Sequence, residues 1–185
     1  VIAPLDLGVC RGYEYEGDPE RTAIALPGAM LGGMPALWFA FEPLVADGWR
    51  VILVWDEFRD RTQDQWAWAR ARAEAAADHA GSVRLVIGKS LTTRACVVAA
   101  EREWPAVWLT PLLDDADVVA KLRDRSAPAL LVGGTNDPTW NRGVARSLTD
   151  HVLELEGADH GLARTDQASQ LGAAVTHFAV AHFAR

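Results

Sequence analysis

Residues 83–100 read Val-Arg-Leu-Val-Ile-Gly-Lys-Ser-Leu-Thr-Thr-Arg-Ala-Cys-Val-Val-Ala-Ala, and the way this stretch divides decides the fold. A β-branched apolar run ends in Gly88, a polar residue follows, and the sequence then turns Ala-rich without Pro or Gly. That order specifies a buried strand, a sharp turn at Gly88-Lys89-Ser90 and a buried helix, rather than one continuous element. Ser90 sits at the bend. Its hydroxyl there stands clear of the sheet, above the positive end of the following helix, where developing negative charge is favoured. Two other readings of Gly-Lys-Ser compete. A phosphate-binding loop needs Gly-x-x-x-x-Gly-Lys-[Ser/Thr], but Val83 stands where its first glycine belongs and strand residues fill the gap. An ordinary strand-to-helix connection capped by serine fits the tripeptide equally well, so the rest of the chain has to arbitrate.

Working outward, the aromatic-polar alternation of residues 9–16 suits an edge strand, ended by Asp18-Pro19. Residues 22–26 form a short buried strand stopped by Pro27-Gly28, and a glycine-rich loop at 29–33 feeds a helix over 35–47 that Gly48 ends. Residues 50–55 are the next strand, with Asp56 and Glu57 at its carboxyl end, and 63–80 form an Ala-rich helix closed by Gly81. Beyond the central stretch come a strand at 105–110, a helix at 115–124 and a strand at 128–133. A helix at 139–148, a strand at 151–155 and a closing helix at 166–183 complete the series. Strand and helix alternate repeatedly. This pattern specifies an α/β protein with an open, mostly parallel sheet and helices on both faces.

The 185 residues are enough for one domain with a sizeable core and short for two, so residues 1–185 are read as a single domain with no separate lid. With 50% hydrophobic and 23% charged residues, the chain has the balance of a folded globular protein. A net charge of −7 without any Lys/Arg cluster argues against nucleic acid or an anionic membrane as the main partner. No apolar run is long enough to span a bilayer, and no basic stretch followed by an apolar core opens the sequence. Cys10 is read as a strand residue and Cys96 as a small apolar helix residue, not as a disulfide pair, so a reducing, cytoplasmic setting is the expectation. No His, Cys, Asp or Glu group has metal-ligand spacing, and neither a metal nor another cofactor is expected.

Ligands of an open parallel sheet bind outside the carboxyl ends of its strands. The residues there are Pro27 to Met30, Asp56-Glu57, Lys89-Ser90-Leu91, Asp114-Asp115, Asn136-Asp137 and Gly157 to Gly161. A serine, an aspartate and a histidine thus occur in chain order, each after a strand. Acyl transfer needs a hydroxyl activated by an imidazole whose second nitrogen is held by a carboxylate, and Ser90, His160 and Asp137 supply those groups. The oxyanion formed in the attack needs fixed donors, for which the N–H groups of Leu91 and Ala29 are placed.

In these segments the chain resembles the α/β-hydrolases. Gly88-Lys-Ser90-Leu-Thr92 looks like their nucleophile elbow, and Leu26-Pro-Gly-Ala29 looks like their oxyanion loop. Gly133-Gly-Thr-Asn-Asp137-Pro and Gly157-Ala-Asp-His160-Gly look like their acid and histidine loops. The resemblance spans nearly the whole chain and is closest to small, lidless bacterial hydrolases of the dienelactone-hydrolase-like type. It implies a serine hydrolase acting on a small ester, thioester or lactone, with an open site. The elbow departs from Gly-x-Ser-x-Gly at Thr92, where a threonine asks for a wider approach or a small neighbour such as Ala23 or Gly28.

Each residue also has a plainer reading. Asp137 can be a turn former before Pro138, with Asp114, Asp115 and Asp159 as rival acids. His79, His151, His177 and His182 read as surface or packing residues. Trp38, Trp55, Trp66, Trp68 and Trp108 read as core, whereas Trp140 and Met30 are placed at the pocket edge. Lys89 is placed to meet an anionic substrate, and its plainer reading is a residue that is solvated or paired with an acid such as Glu57. Two alternatives to the hydrolase share this constellation: a hydrolase-fold binding protein that turns nothing over, motivated by Thr92, and a lyase or cyclase using the same Ser/His pair. A small-molecule substrate is the expectation for the enzyme, whereas the binding protein would hold a ligand or a partner.

Overall fold

A computed structural model describes residues 1–183. Its sheet has eight strands in the order β1-β2-β4-β3-β5-β6-β7-β8. Strands β1 (Ile2–Asp6) and β2 (Arg11–Tyr15) form an antiparallel edge on β4 (Trp49–Trp55). From β4 onward β3 (Asp18–Leu26), β5 (Leu85–Lys89), β6 (Ala106–Leu109), β7 (Ala129–Gly134) and β8 (Val152–Leu155) all run parallel.

The period-two side-chain alternation of strands divides the core between the two sheet faces. Ile24, Leu26, Ile52, Val54, Val86, Trp108 and Leu131 face one way, onto α2 (Gln65–Ala80), α3 (Cys96–Glu101), α4 (Ala116–Arg123) and α5 (Arg142–Leu148). Ala23, Ala25, Val51, Leu53, Ile87, Leu109 and Val132 face the other, onto α1 (Ala36–Ala46) and α6 (Ala168–Phe183). All six α-helices among the described residues are therefore used on the faces, and the carboxyl ends of the parallel strands stay open. None of these helices is long and apolar enough to cross a membrane.

The helix boundaries follow from capping. Asp64 accepts the N–H groups of Trp66 and Ala67 at the start of α2, and Gly81, at φ 76°, ends it. Asp115 caps α4 in the same way, and Lys121 and Arg123 in its last turn suit the negative end of the helix dipole. Asn141 caps α5, which starts later than the 139–148 expected, because residues 137–140 are used in a turn.

Several readings are corrected. Strand β1 was not anticipated; Pro4 lies on it, which an edge position tolerates because its outer N–H side needs no partner. Asp18-Pro19 does not end a strand but opens β3, at an irregularity in its pairing with β4 between Asp18 and Thr22. Cys10 is buried in the bend between β1 and β2 rather than on a strand, and both it and Cys96 are free thiols. Trp55 and Trp38 are not core: they are 44% and 39% exposed.

After β5 the chain does not enter an α-helix directly. A 3-10 segment, Ser90–Ala95, intervenes before α3. Gly88 is required there, because a Cβ would lie 2.5 Å from the buried Trp108 ring. Thr92 needs no wider approach. It is fully buried, its hydroxyl receives the Lys89 N–H at 3.0 Å and lies 3.2 Å from both the Leu26 and Lys89 carbonyls. The hydroxyl thus staples the turn to the end of β3, a contact glycine cannot make. Thr92→Gly should therefore lower unfolding stability in urea by about 2 kcal/mol or more, even though it restores the glycine that such elbows carry. An unchanged or raised stability would show that the staple contributes nothing.

Candidate active site

The parallel register places the ends of β3, β5, β7 and β8 along one edge of the sheet, with Leu26 opposite Gly88 and Gly134 opposite Leu155. Ser90 follows β5 directly and adopts φ 52°, a left-handed conformation uncommon for a residue with a side chain. Lys89 before it is still extended, so the chain reverses within one residue and lifts the serine hydroxyl off the strand end.

The loops after β7 and β8 are tied together. Asn136 N–H donates to the Ala158 carbonyl at 2.9 Å, and Thr135 N–H to Leu155 at 3.1 Å. Gly134 permits the contact, since a Cβ there would lie 2.1 Å from the Ala158 oxygen. Locked in this way, the two loops present Asp137 and His160 to each other. His160 Nδ1 lies 2.9 Å from Asp137 Oδ1, and His160 Nε2 lies 2.8 Å from Ser90 Oγ. An unbroken hydrogen-bonded chain runs from a buried carboxylate through an imidazole to a hydroxyl. The Asp137 side chain is fully buried, whereas that of His160 is 36% exposed, so the chain runs from the interior to the surface.

A fourth residue completes it. Thr139 N–H and Oγ1 both donate to Asp137 Oδ1 at 2.9 Å, and its hydroxyl lies 3.3 Å from His160 Nδ1. Burial alone would raise the Asp137 carboxyl, but the His160 hydrogen bond and charge and the two Thr139 donors outweigh it and hold the pKa below the ordinary value. Thr139 was absent from the sequence reading. Asp137-Pro138-Thr139 carried the signal, because an aspartate accepting the N–H two residues ahead is an Asx turn.

A depression of about 230 Å³ opens beside the serine, lined by Gly28, Ala29, Met30, Gly33, Met34, Lys89, Ser90, His160 and Gly161. Met30 is 70% exposed at its rim. The Ala29 carbonyl is fixed by the Phe58 N–H at 3.0 Å, which steadies this segment beside the elbow. Leu91 N–H lies in the first turn of the 3-10 segment, where amide groups lack partners within the helix.

Other expectations do not meet here. Glu57 is not among the residues lining the depression; its carboxylate pairs with Arg59 at 3.1 Å. Trp140 lies against Gly133 and donates its indole N–H to Glu154 at 2.8 Å, away from the depression. Among the described residues Lys89 pairs with no acid at hydrogen-bonding range; its ammonium donates to Thr110 Oγ1 at 3.0 Å and to the His160 carbonyl at 2.7 Å. Of the rival acids, Asp115 caps α4 and pairs with Arg94, Asp159 accepts the Gly161 N–H, and Asp114 is exposed. His79 pairs with Glu14, and His151 packs edge-on to Phe178. Among the described residues no group of three or more His, Cys, Asp and Glu is placed to hold a metal ion.

No protein-family model and no curated protein matches this sequence. Solved structures do match. Est1E from Butyrivibrio proteoclasticus is similar over 100% of this chain and 99% of its own, with a TM-score of 0.75 and 13% identity. A dienelactone hydrolase from Anabaena variabilis is similar over 98% and 97%, with a TM-score of 0.72 and 16% identity. XC6422 from Xanthomonas campestris, described as an α/β serine hydrolase without a lid, is similar over 98% and 94%, with a TM-score of 0.71 and 16% identity. At such identities the likeness is one of architecture, and it extends from end to end of each chain. This protein has the α/β-hydrolase fold.

Proposed function

We propose that the protein is a serine hydrolase that cleaves a small ester, thioester or lactone through an acyl-enzyme on Ser90. The observation that carries this reading is the 2.8 Å contact between Ser90 Oγ and His160 Nε2, at the end of a strand and beside an open depression. A serine hydrolase and a dienelactone hydrolase among the proteins that share this fold support it.

In this reading Ser90 Oγ attacks the substrate carbonyl carbon while His160 Nε2 takes the hydroxyl proton. The carbonyl electron pair becomes an oxyanion, held by the N–H groups of Ala29 and Leu91. On collapse the bond to the leaving oxygen or sulfur breaks, and His160 returns the proton to it. Water then repeats the sequence against the acyl group, with His160 again as base, and frees Ser90. Asp137 keeps the imidazole with its proton on Nδ1 and stabilises the imidazolium as it forms. Thr139 donates its N–H and hydroxyl to the same carboxylate oxygen that faces His160. The small, largely apolar depression suits short acyl groups, and the acidic surface and lack of a basic cluster suit a small molecule rather than nucleic acid. A cytoplasmic setting goes with the two free thiols.

Hydrolysis of a short-chain nitrophenyl ester tests the reading. Ser90→Ala should lower kcat by about 10⁴-fold or more. Equal turnover by wild type and variant would end the catalytic claim.

Asp137→Asn should lower kcat by about 10²- to 10⁴-fold. The same substitution has a pH signature in stability. The Asp137 pKa is depressed in the folded state, so the stability it contributes is present above the unfolded value of 3.8 and is lost as pH falls through the folded value. Thermal unfolding should therefore show the wild-type advantage over Asp137→Asn shrinking as the solution is acidified below that value. An advantage that does not change with pH would contradict the ionised, hydrogen-bonded carboxylate.

A further inference from the structure

Lys89 is only 6% exposed, although it stands next to the serine. Lysine is almost never this buried unless it is paired, because taking an ammonium out of water is costly. No ion pair to Lys89 is found among the described residues, and its two partners are neutral oxygens. One is the backbone carbonyl of His160 at 2.7 Å, on the loop after β8. The other is Thr110 Oγ1 at 3.0 Å, at the end of β6. Thr110 holds φ 44°, an outlier for a β-branched residue, and its own N–H donates to Val132 at 2.7 Å. A strained residue on the neighbouring strand therefore helps to seat the ammonium.

Resting on the hydrolase reading above, we infer that Lys89 is a positioning residue: its ammonium ties the His160 backbone to the strand end that carries Ser90, and so sets the imidazole at hydrogen-bonding distance from the serine. The geometry is direct. The donor belongs to the residue before the nucleophile and the acceptor to the histidine itself, so one side chain links the two backbones whose separation fixes the Oγ to Nε2 distance.

The tie is charge-assisted, and such hydrogen bonds are roughly twice as strong as neutral ones. The charges that act on it are Asp137 from the loop after β7 and Asp159 from the loop after β8. His160 is the further titratable group on that loop, while Thr110 from β6 and Gly28 from the oxyanion segment carry no charge. Burial outweighs the two carboxylates and brings the Lys89 pKa down from 10.5 to about 8. Above that value the ammonium becomes an amine, the tie weakens, and the histidine loop is held less firmly.

The test is the second-order rate at which a fluorophosphonate labels Ser90, from about pH 6 to about pH 10, which reports groups titrating in the free enzyme. Wild-type labelling should fall on the alkaline side with an apparent pKa near 8. Lys89→Met, of similar length and uncharged, should label about 10- to 100-fold more slowly at neutral pH, and its profile should lack the alkaline fall. Lys89→Arg stays charged throughout, should also lack the alkaline fall, and carries the test if the methionine variant fails to fold. A slower methionine variant that keeps the alkaline fall would show a merely structural role and overturn the tie. So would wild-type rate and profile in both variants, which would leave the hydrolase reading standing. If wild type itself is not labelled, the tie and the hydrolase reading fall together.

Discussion

The site depends on one backbone constraint, the left-handed conformation of Ser90 between an extended strand and a 3-10 turn. A residue held there costs of order 1–3 kcal/mol and persists only where its surroundings over-determine it. Here they do. Trp108 closes over Gly88 on one side, and the Thr92 hydroxyl staples the turn to Leu26 and Lys89 on the other. Removing the strain would let the chain run smoothly from strand to helix and lay the serine hydroxyl down among the packed residues. The Trp108 ring and the Thr92 hydroxyl around the turn are therefore part of what keeps the Ser90 side chain upright.

The second requirement is that two loops far away in the chain arrive at the same place. Parallel pairing of β5, β6, β7 and β8 puts their carboxyl ends on one edge, but it does not fix side chains to tenths of an ångström. That is done by backbone hydrogen bonds between the loops after β7 and β8, by the close approach at Gly134, and by the two Thr139 donors to Asp137 Oδ1. The Asp137 carboxylate is buried and the His160 imidazole partly exposed, so the hydrogen-bonded chain leads from the interior to the surface. Solved structures with only 13% to 16% identity share the fold from end to end, which is consistent with few of these constraints demanding particular residues.

Much of this was legible in the sequence because it was local. Alternating apolar strands, capping aspartates and glycine stops each leave a mark within a few residues, and they yielded the element order and the parallel core of the sheet. The candidate triad was legible for the same reason: Ser90 directly follows β5, and Asp137 and His160 lie in the short loops that follow β7 and β8. What was missed depended on distant partners. Lys89 read as a solvated or acid-paired residue, but its hydrogen-bond partners lie 21 and 71 residues further along the chain. Trp55 and Trp140 are tryptophans on or beside strands, and only the tertiary structure tells that the first is half-exposed while the second packs on Gly133. Thr92 read as a misfit because its hydroxyl acceptor, the Leu26 carbonyl, is on another strand. Strand β1 was lost to Pro4, which argues against a strand everywhere except at an edge.

The central claim is that Ser90, His160 and the amides of Ala29 and Leu91 meet around one reacting carbonyl. Its most direct measurement is a crystal structure of the protein after reaction with a phosphonate inhibitor, a stable stand-in for the tetrahedral intermediate. Phosphorus should be bonded to Ser90 Oγ, with its free oxygen within hydrogen-bonding reach of both amides and His160 Nε2 still facing the leaving position. An adduct on another residue, or a phosphonyl oxygen pointing away from both amides, would contradict it.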